Sequence, residues 1–220
     1  MMNLLKKQSE LTQRIITAFF LGTLCLGVFF WMPPIVFSMF IGAVIAYCAF
    51  IELPKLMNVE RFFFWVVLIG YLVIPAFFLI VLNQSHNRIF LFFLFCAVVS
   101  FDSGAYFVGK KWGKHKLAPK ISPKKSWEGL LGGFLCVLLV IFILFTYFEI
   151  FISKGIIFSI SLLISVGATL GDFFESWLKR QAGVKDSGKI LPGHGGILDR
   201  IDSLLGALPL WYLITIKYFY

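Results

Sequence analysis

Residues 185–202, KDSGKILPGHGGILDRID, gather three aspartates, two lysines, an arginine and a histidine among glycines, with strongly apolar sequence on both sides. Ionisable groups at a membrane edge are costly to hold and mark a functional site by default. Just upstream, Asp172 and Glu175 stand three residues apart, and Ser176 and Lys179 extend the same helical face at four-residue steps. Asp199 and Asp202 repeat the three-residue spacing at the start of the last apolar segment, so both carboxylates can point the same way. Two helix ends that each present carboxylates can pinch a hard divalent cation between them. Aspartates without a His/Cys set favour Mg²⁺ over zinc, with Asp172 and Asp199 as the first pair of ligands and Asp186 and Asp202 able to complete a second cation site.

Lys179, Arg180, Lys185, Lys189 and Arg200 lie around these acids, and Lys124 and Lys125 occupy a neighbouring loop. Bases interleaved with metal-binding carboxylates suit a polyphosphate, because cations and metal together neutralise charge on transferred phosphoryl oxygens. The run Pro192-Gly193-His194-Gly195-Gly196 adds backbone that can approach a phosphate closely and donate N–H groups. A Walker A motif is absent, which excludes a P-loop ATPase. Blander readings stand beside these. Asp172 would alternatively form a structural ion pair with a lysine, and His194 would bond a neighbouring carbonyl. Glu128 and Glu175 read as salt-bridge partners of Lys or Arg, while Gly104 and Gly109 read as close-packing positions between helices.

The elements that must position this chemistry are membrane helices. The chain has 220 residues, 60% of them hydrophobic and 14% charged, and a mean hydropathy of +0.91, a composition that makes it an all-α polytopic membrane protein. Apolar runs predict seven transmembrane helices at about 15–31, 35–51, 62–82, 88–109, 129–148, 155–175 and 203–219. Basic residues precede the first run, but no small-residue cleavage site follows before Pro33 and Pro34, so an uncleaved first span is expected. With the N-terminus inside, the segments 1–14, 52–61, 110–128 and 176–202 carry 17 Lys or Arg against 3 elsewhere. That bias places the long basic loops and the polar site on the cytoplasmic side. It also accounts for the net charge of +9 through topology and anionic membrane lipid, without nucleic acid. Trp31, Trp65, Trp112 and Trp211 fall near span ends, where interfacial rings are favoured. Cys25, Cys48, Cys96 and Cys136 are scattered singly, as packing residues are.

Three polar regions converge on that side: FDSGAYFVGKKWGK at 101–114, PKISPKKSWEG at 119–129 and GDFFESWLKRQAGVKDSGKILPGHGGILDRIDS at 171–203. Fourteen residues of the last one, from Ser176, Lys179 and Arg180 to Asp199, Arg200 and Asp202, fit the spacing S-x-x-K-R-x4-K-D-x-G-x2-L-P-x-H-G-G-x2-D-R-x-D. This resembles the signature of the phosphatidate cytidylyltransferases, the CDP-diacylglycerol synthases, and the two upstream regions resemble bacterial members. The resemblance covers roughly 101–205. It implies N-terminal transmembrane helices over 1–100, a catalytic transmembrane region over 101–220 with its signature at 176–202, and a place in the bacterial cytoplasmic (inner) membrane. It further implies Mg²⁺-dependent transfer of a cytidylyl group from CTP to phosphatidate, and a homodimer. By the same resemblance Asp172, Asp186, Asp199, Asp202, Lys179 and Arg180 would be catalytic, with Asp172 and Asp199 on the metal. Lys124, Lys125, Ser176, Lys185, His194, Gly195, Gly196 and Arg200 would bind substrate, and Asp102 and Tyr106, one helical turn apart, would line the nucleotide or lipid pocket.

The competing expectation is a membrane transporter of an anionic or phosphorylated solute, since acids and glycine-broken helices also mark ion pathways. Against it, the charges crowd toward the helix ends instead of the bilayer midplane, and no internal repeat is evident. An enzyme transferring a CDP-linked headgroup would carry D-x2-D-G-x2-A-R, whereas Asp202 is followed here by Ser203 and Leu204.

Overall fold

A computed structural model describes residues 20, 22–84, 87–191 and 195–219. Among them the chain forms seven helices: α1 (Gly22–Trp31), α2 (Pro34–Leu56), α3 (Phe62–Leu82), α4 (Arg88–Trp112), α5 (Trp127–Tyr147), α6 (Lys154–Gln181) and α7 (Leu198–Phe219). A short antiparallel hairpin, β1 (Lys116–Ala118) and β2 (Ser122–Ser126), stands between α4 and α5, with Lys116 opposite Ser126 and Ala118 opposite Ser122. It replaces the plain loop expected over 110–128, because Pro119 and Lys120 turn the chain back on itself.

Helices α2 to α6 are long and apolar enough to cross a membrane, so the chain is an integral membrane protein with five candidate spans where seven were expected. Helix α1 is described for only ten residues, and α7 carries Asp199, Arg200, Asp202 and Lys217 as well as the internal Pro209. Helices α4 and α6 outrun their expected ends at 109 and 175. Lys110, Lys111, Lys179 and Arg180 occupy their last turns, where cations complement the helix dipole, so the apolar run ends before the helix does.

Local chemistry sets the ends and bends. Ser126 caps α5 by accepting the Gly129 N–H at 3.1 Å, and Ser153 caps α6 by accepting from Ile156 at 3.4 Å. Two π-helical turns, Cys48–Glu52 in α2 and Leu68–Val73 in α3, each run directly into a proline-bearing turn, with Pro54 and Pro75. A proline has no N–H for the preceding carbonyl and its ring crowds that turn, so the helix widens there. Glu52, the last residue of the first wide turn, is fully buried.

One buried cluster runs through all seven helices, around Phe37, Leu82, Phe93, Ile141, Ile164 and Trp211. Trp211 is wholly buried and donates its indole N–H to the Phe90 carbonyl at 3.0 Å. This departs from the interfacial position expected for a tryptophan near a span end; a carbonyl partner inside the bundle lets the indole bury completely. Trp31, Trp65 and Trp112 are exposed. A second cluster, including Leu53, Leu56, Leu72, Leu178, Leu198 and Leu205, joins α2 and α3 to the polar ends of α6 and α7. Helices α6 and α7 cross in backbone contact: a Cβ added to Gly171 would lie 2.9 Å from the Gly206 Cα. That crossing brings Asp172 and Asp202 to one level. Gly104 faces α5 in the same manner, where an added Cβ would meet the Gly132 carbonyl at 2.9 Å.

Candidate functional site

A cavity of about 790 Å³ opens between α4, the hairpin, α5 and the polar ends of α6 and α7. Five carboxylates reach its wall, from Asp102, Asp172, Asp186, Asp199 and Asp202. Six cations face them, from Lys110, Lys116, Lys124, Lys125, Lys179 and Arg200. Phe101, Ala105, Leu117 and Leu130 supply an apolar side, and Tyr106 stands on the rim, 60% exposed. Such a wall suits an amphipathic ligand with a highly charged end.

The carboxylates divide by their partners. Asp199 is fully engaged: one oxygen accepts Lys179 Nζ at 2.6 Å, and the other accepts the Gly196 N–H at 2.8 Å, the Ser187 N–H at 2.9 Å and the Ser187 hydroxyl at 3.0 Å. Lys179 also pairs with Glu175, whose side chain is wholly buried, so one ammonium serves two carboxylates. Behind this knot Glu52 accepts the Leu198 N–H at 2.7 Å, the Ile197 N–H at 2.9 Å and the Ser187 hydroxyl at 3.2 Å. It thereby satisfies two of the backbone donors that the first turn of α7 leaves unpaired.

Asp102, Asp172 and Asp202 form the other set. Asp202 stands close to both Asp102 and Asp172, and Asp102 close to Asp172, so like charges are gathered here. Asp172 pairs with Lys125 at 2.5 Å and accepts the Ser176 hydroxyl at 3.2 Å. Asp102 accepts the Ser203 hydroxyl at 3.2 Å, and Asp202, 8% exposed, accepts the Ser203 N–H at 2.8 Å. Lys125 also stands over the Phe173 ring, 4.2 Å from its centroid. Like charges gathered at this distance are unfavourable in isolation, and a cation relieves them. Among the described residues, no three His, Cys, Asp or Glu side chains are arranged to close a metal site by themselves. The donor set nevertheless fits a hard cation that takes a few carboxylates from the protein and its remaining oxygens from phosphate and water, as Mg²⁺ does.

The residues singled out from the sequence therefore fall into three groups. Asp102, Tyr106, Lys124, Lys125, Asp172, Lys179, Asp186, Asp199, Arg200 and Asp202 all reach the cavity. Ser176 stands behind Asp172, and Gly195 and Gly196 stand beside Asp186 and Asp199. Gly195 adopts φ +86°, and an added Cβ there would lie 2.8 Å from Asp199 Oδ2. Arg180 turns elsewhere, donating to the Ile121 carbonyl at 3.1 Å and the Val184 carbonyl at 3.2 Å, so it ties α6 to the hairpin. Lys185 is exposed and absent from the lining. His194 lies outside the described residues, as do Pro192 and Gly193. Glu128 pairs with His115 at 2.6 Å in place of the Lys or Arg expected for it.

Six contributors went unnoticed in the sequence: Lys110 and Lys116 on the cavity wall, and Glu52, Ser187, Ser203 and Tyr71, whose hydroxyl donates to the Gly171 carbonyl at 3.2 Å. For Glu52 the signal was an acid closing an apolar run just before Pro54; nothing local points to partners 135 to 146 residues away.

With this geometry in view, comparison with known proteins is informative. The sequence model of the cytidylyltransferase family matches residues 1–218. The phosphatidate cytidylyltransferase of Haemophilus influenzae is 47% identical over 142 residues, 63% of this chain and 48% of that protein. The phosphatidate cytidylyltransferase of Staphylococcus saprophyticus is 44% identical over 135 residues, 61% of this chain and 52% of that protein. The chain thus spans about half the length of the curated relatives it matches.

Proposed function

The chain belongs to the cytidylyltransferase family, and on that premise we propose that it transfers the cytidylyl group of CTP to phosphatidate, giving CDP-diacylglycerol and pyrophosphate for phospholipid synthesis. The observation that carries the proposal is the cavity, where five carboxylates and six cations meet an apolar side. A soluble nucleotide triphosphate and a lipid phosphate need that combination in one place. The positive-inside charge distribution supports a cytoplasmic site, and the bacterial relatives support the bacterial inner membrane.

A phosphatidate phosphate oxygen attacks the α-phosphorus of CTP. A new P–O bond forms, the bond from the α-phosphorus to the β-bridging oxygen breaks, and pyrophosphate leaves with the electron pair. The attacking oxygen is already anionic, so no side chain need act as nucleophile, and the protein's work is alignment and charge neutralisation. Lys124, Lys125 and Arg200 meet the phosphates, joined by Lys110 and Lys116 from α4 and β1. Tyr106 and Asp102 border the pocket for the nucleotide or lipid.

A divalent cation, Mg²⁺ by the donor chemistry, would supply Lewis-acid neutralisation of the phosphoryl oxygens. Asp172 and Asp202 would hold it, with Asp102 beside them and Asp186 available toward a second cation. Both acids have partners: Asp172 is held by side chains, Ser176 and the cavity-lining Lys125 that a phosphate would draw away, whereas Asp199, its expected partner, is held by the backbone N–H groups of Ser187 and Gly196 as well as by Lys179, so the proposed part of Asp199 is to fix the wall. The homodimer implied by family resemblance belongs to the same proposal and is read by cross-linking in native membranes.

The test uses purified protein with phosphatidate and CTP, with Mg²⁺ present or removed by chelation. Both CDP-diacylglycerol and pyrophosphate are expected, in equal amounts and only with the cation. Folded protein that makes neither product, yet moves a phosphorylated solute in proteoliposomes, would replace the proposal with transport.

A further inference from the structure

We propose that Glu52 is a positioning residue for this transfer, holding the first turn of α7 and Ser187 in place from a helix that contributes nothing to the cavity wall. Glu52 is wholly buried, and its two oxygens meet four donors: Ile197 N–H, Leu198 N–H, the Cys48 thiol at 4.0 Å, and the Ser187 hydroxyl, whose single proton is shared between Glu52 and Asp199. Ser187 bridges onward, since its hydroxyl also reaches Asp199 at 3.0 Å. Asp199 in turn holds Lys179, and Asp202 follows one helical turn later on α7. A displacement of α7 at its start therefore moves Asp199, Arg200 and Asp202 together.

The fit around the carboxylate is tight. A Cβ added to Gly188 would come 2.5 Å from Glu52 Oε1, and one added to Gly196 would come 2.6 Å from it. Gly188 and Gly196 thus make room for a carboxylate from another helix. Charge matters as much as shape, because every partner donates. An amide in its place would turn its NH₂ toward an N–H, donor against donor, while a shorter carboxylate keeps the charge and loses reach.

The kinetic part of this inference rests on the proposed cytidylyl transfer; the structural part rests on the hydrogen bonds alone. The experiment therefore has two readouts. Wild type, Glu52→Gln, Glu52→Asp and Leu72→Ala are compared in lipid nanodiscs for kcat and KM with CTP and phosphatidate. Amide hydrogen exchange is followed over Ile197 and Leu198. Leu72 is buried in the same second cluster and touches none of these groups through a hydrogen bond, so Leu72→Ala reports simple destabilisation.

Glu52→Gln is expected to lower kcat by about 10- to 100-fold, the range for losing an outer partner of a functional group, with a much smaller change in KM for CTP. Exchange at Ile197 and Leu198 should accelerate. Glu52→Asp should recover part of the rate, and Leu72→Ala should lower Tm while leaving kcat and this exchange in place. Wild-type kcat in Glu52→Gln, or an equal kcat loss in Leu72→Ala, overturns the inference. If wild type itself makes no product, the proposed transfer fails separately, and unaltered exchange in Glu52→Gln would then remove the fastening role as well.

Discussion

Two groups of carboxylates meet around the start of α7 and differ in the partners that hold them. Asp199 and Glu52 have their oxygens filled by an ammonium, hydroxyls and backbone N–H groups. Asp102, Asp172 and Asp202 share the cavity wall with Asp199 but are held mainly by side chains, from Lys125, Ser176 and Ser203, and Asp202 stands close to both of the other two. Acids whose oxygens are satisfied by protein donors hold structure. Acids kept close without enough donors are held ready for a cation and a phosphate, at a cost that the packing around them must cover. The difference assigns fastening to one group and chemistry to the other, and it predicts that the two respond oppositely to neutralisation.

The largest effect that tests this division falls on the fastened side. Lys179→Met would leave the wholly buried Glu175 and the engaged Asp199 without their shared ammonium. Breaking a buried pair by removing one partner costs about 3–5 kcal/mol, so a marked fall in thermal stability is expected together with loss of activity. Stability close to wild type would mean that the knot is not held by charge, and the comparison would break on that side.

On the cavity side the order reverses. Asp202→Asn keeps the oxygen that accepts the Ser203 N–H and removes one of three neighbouring negative charges, so Tm should hold or rise. Turnover should nevertheless fall by about 10²- to 10³-fold, the cost of removing one group that stabilises developing charge. A variant that loses stability and keeps its rate would move Asp202 into the fastened group.

Much of this was legible in the sequence, for identifiable reasons. Apolar runs of spanning length located the helices, and the fixed spacing from Ser176 to Asp202 gathered Lys179, Asp186, Asp199, Arg200 and Asp202, five of the eleven charged residues that line the cavity. The topology brought Asp102, Lys124 and Lys125 to the same side before any coordinates were considered. Four features were out of reach because they depend on tertiary partners. A three-residue spacing puts Asp199 and Asp202 on one face but cannot say that Lys179 and Ser187 fill only the first. Arg180 carries the same charge as Lys179 one position earlier, yet a step of one residue turns it by about 100°, toward the hairpin. Trp211 reads as interfacial when placed near a span end, and the Phe90 carbonyl across the bundle accounts for its burial. Glu52 was hidden for the same reason, since its donors lie on a different helix and loop.

The smallest predicted effect sharpens the boundary between the two groups at Asp102. This residue reaches the cavity, but it also accepts a hydroxyl from Ser203, which is 4% exposed. Ser203→Ala deletes that bond and adds no bulk. If Asp102 belongs with the cavity acids, the bond only aims its carboxylate, and its loss should reduce turnover by about 5- to 10-fold, near the 1 kcal/mol of an ordinary hydrogen bond, with Tm almost unmoved. If Asp102 is instead a fastening residue between α4 and α7, the same change should appear mainly as lost stability at near-normal turnover. Because one hydroxyl is removed in both cases, the ratio of the two losses, measured on a single variant, decides on which side of the division Asp102 stands.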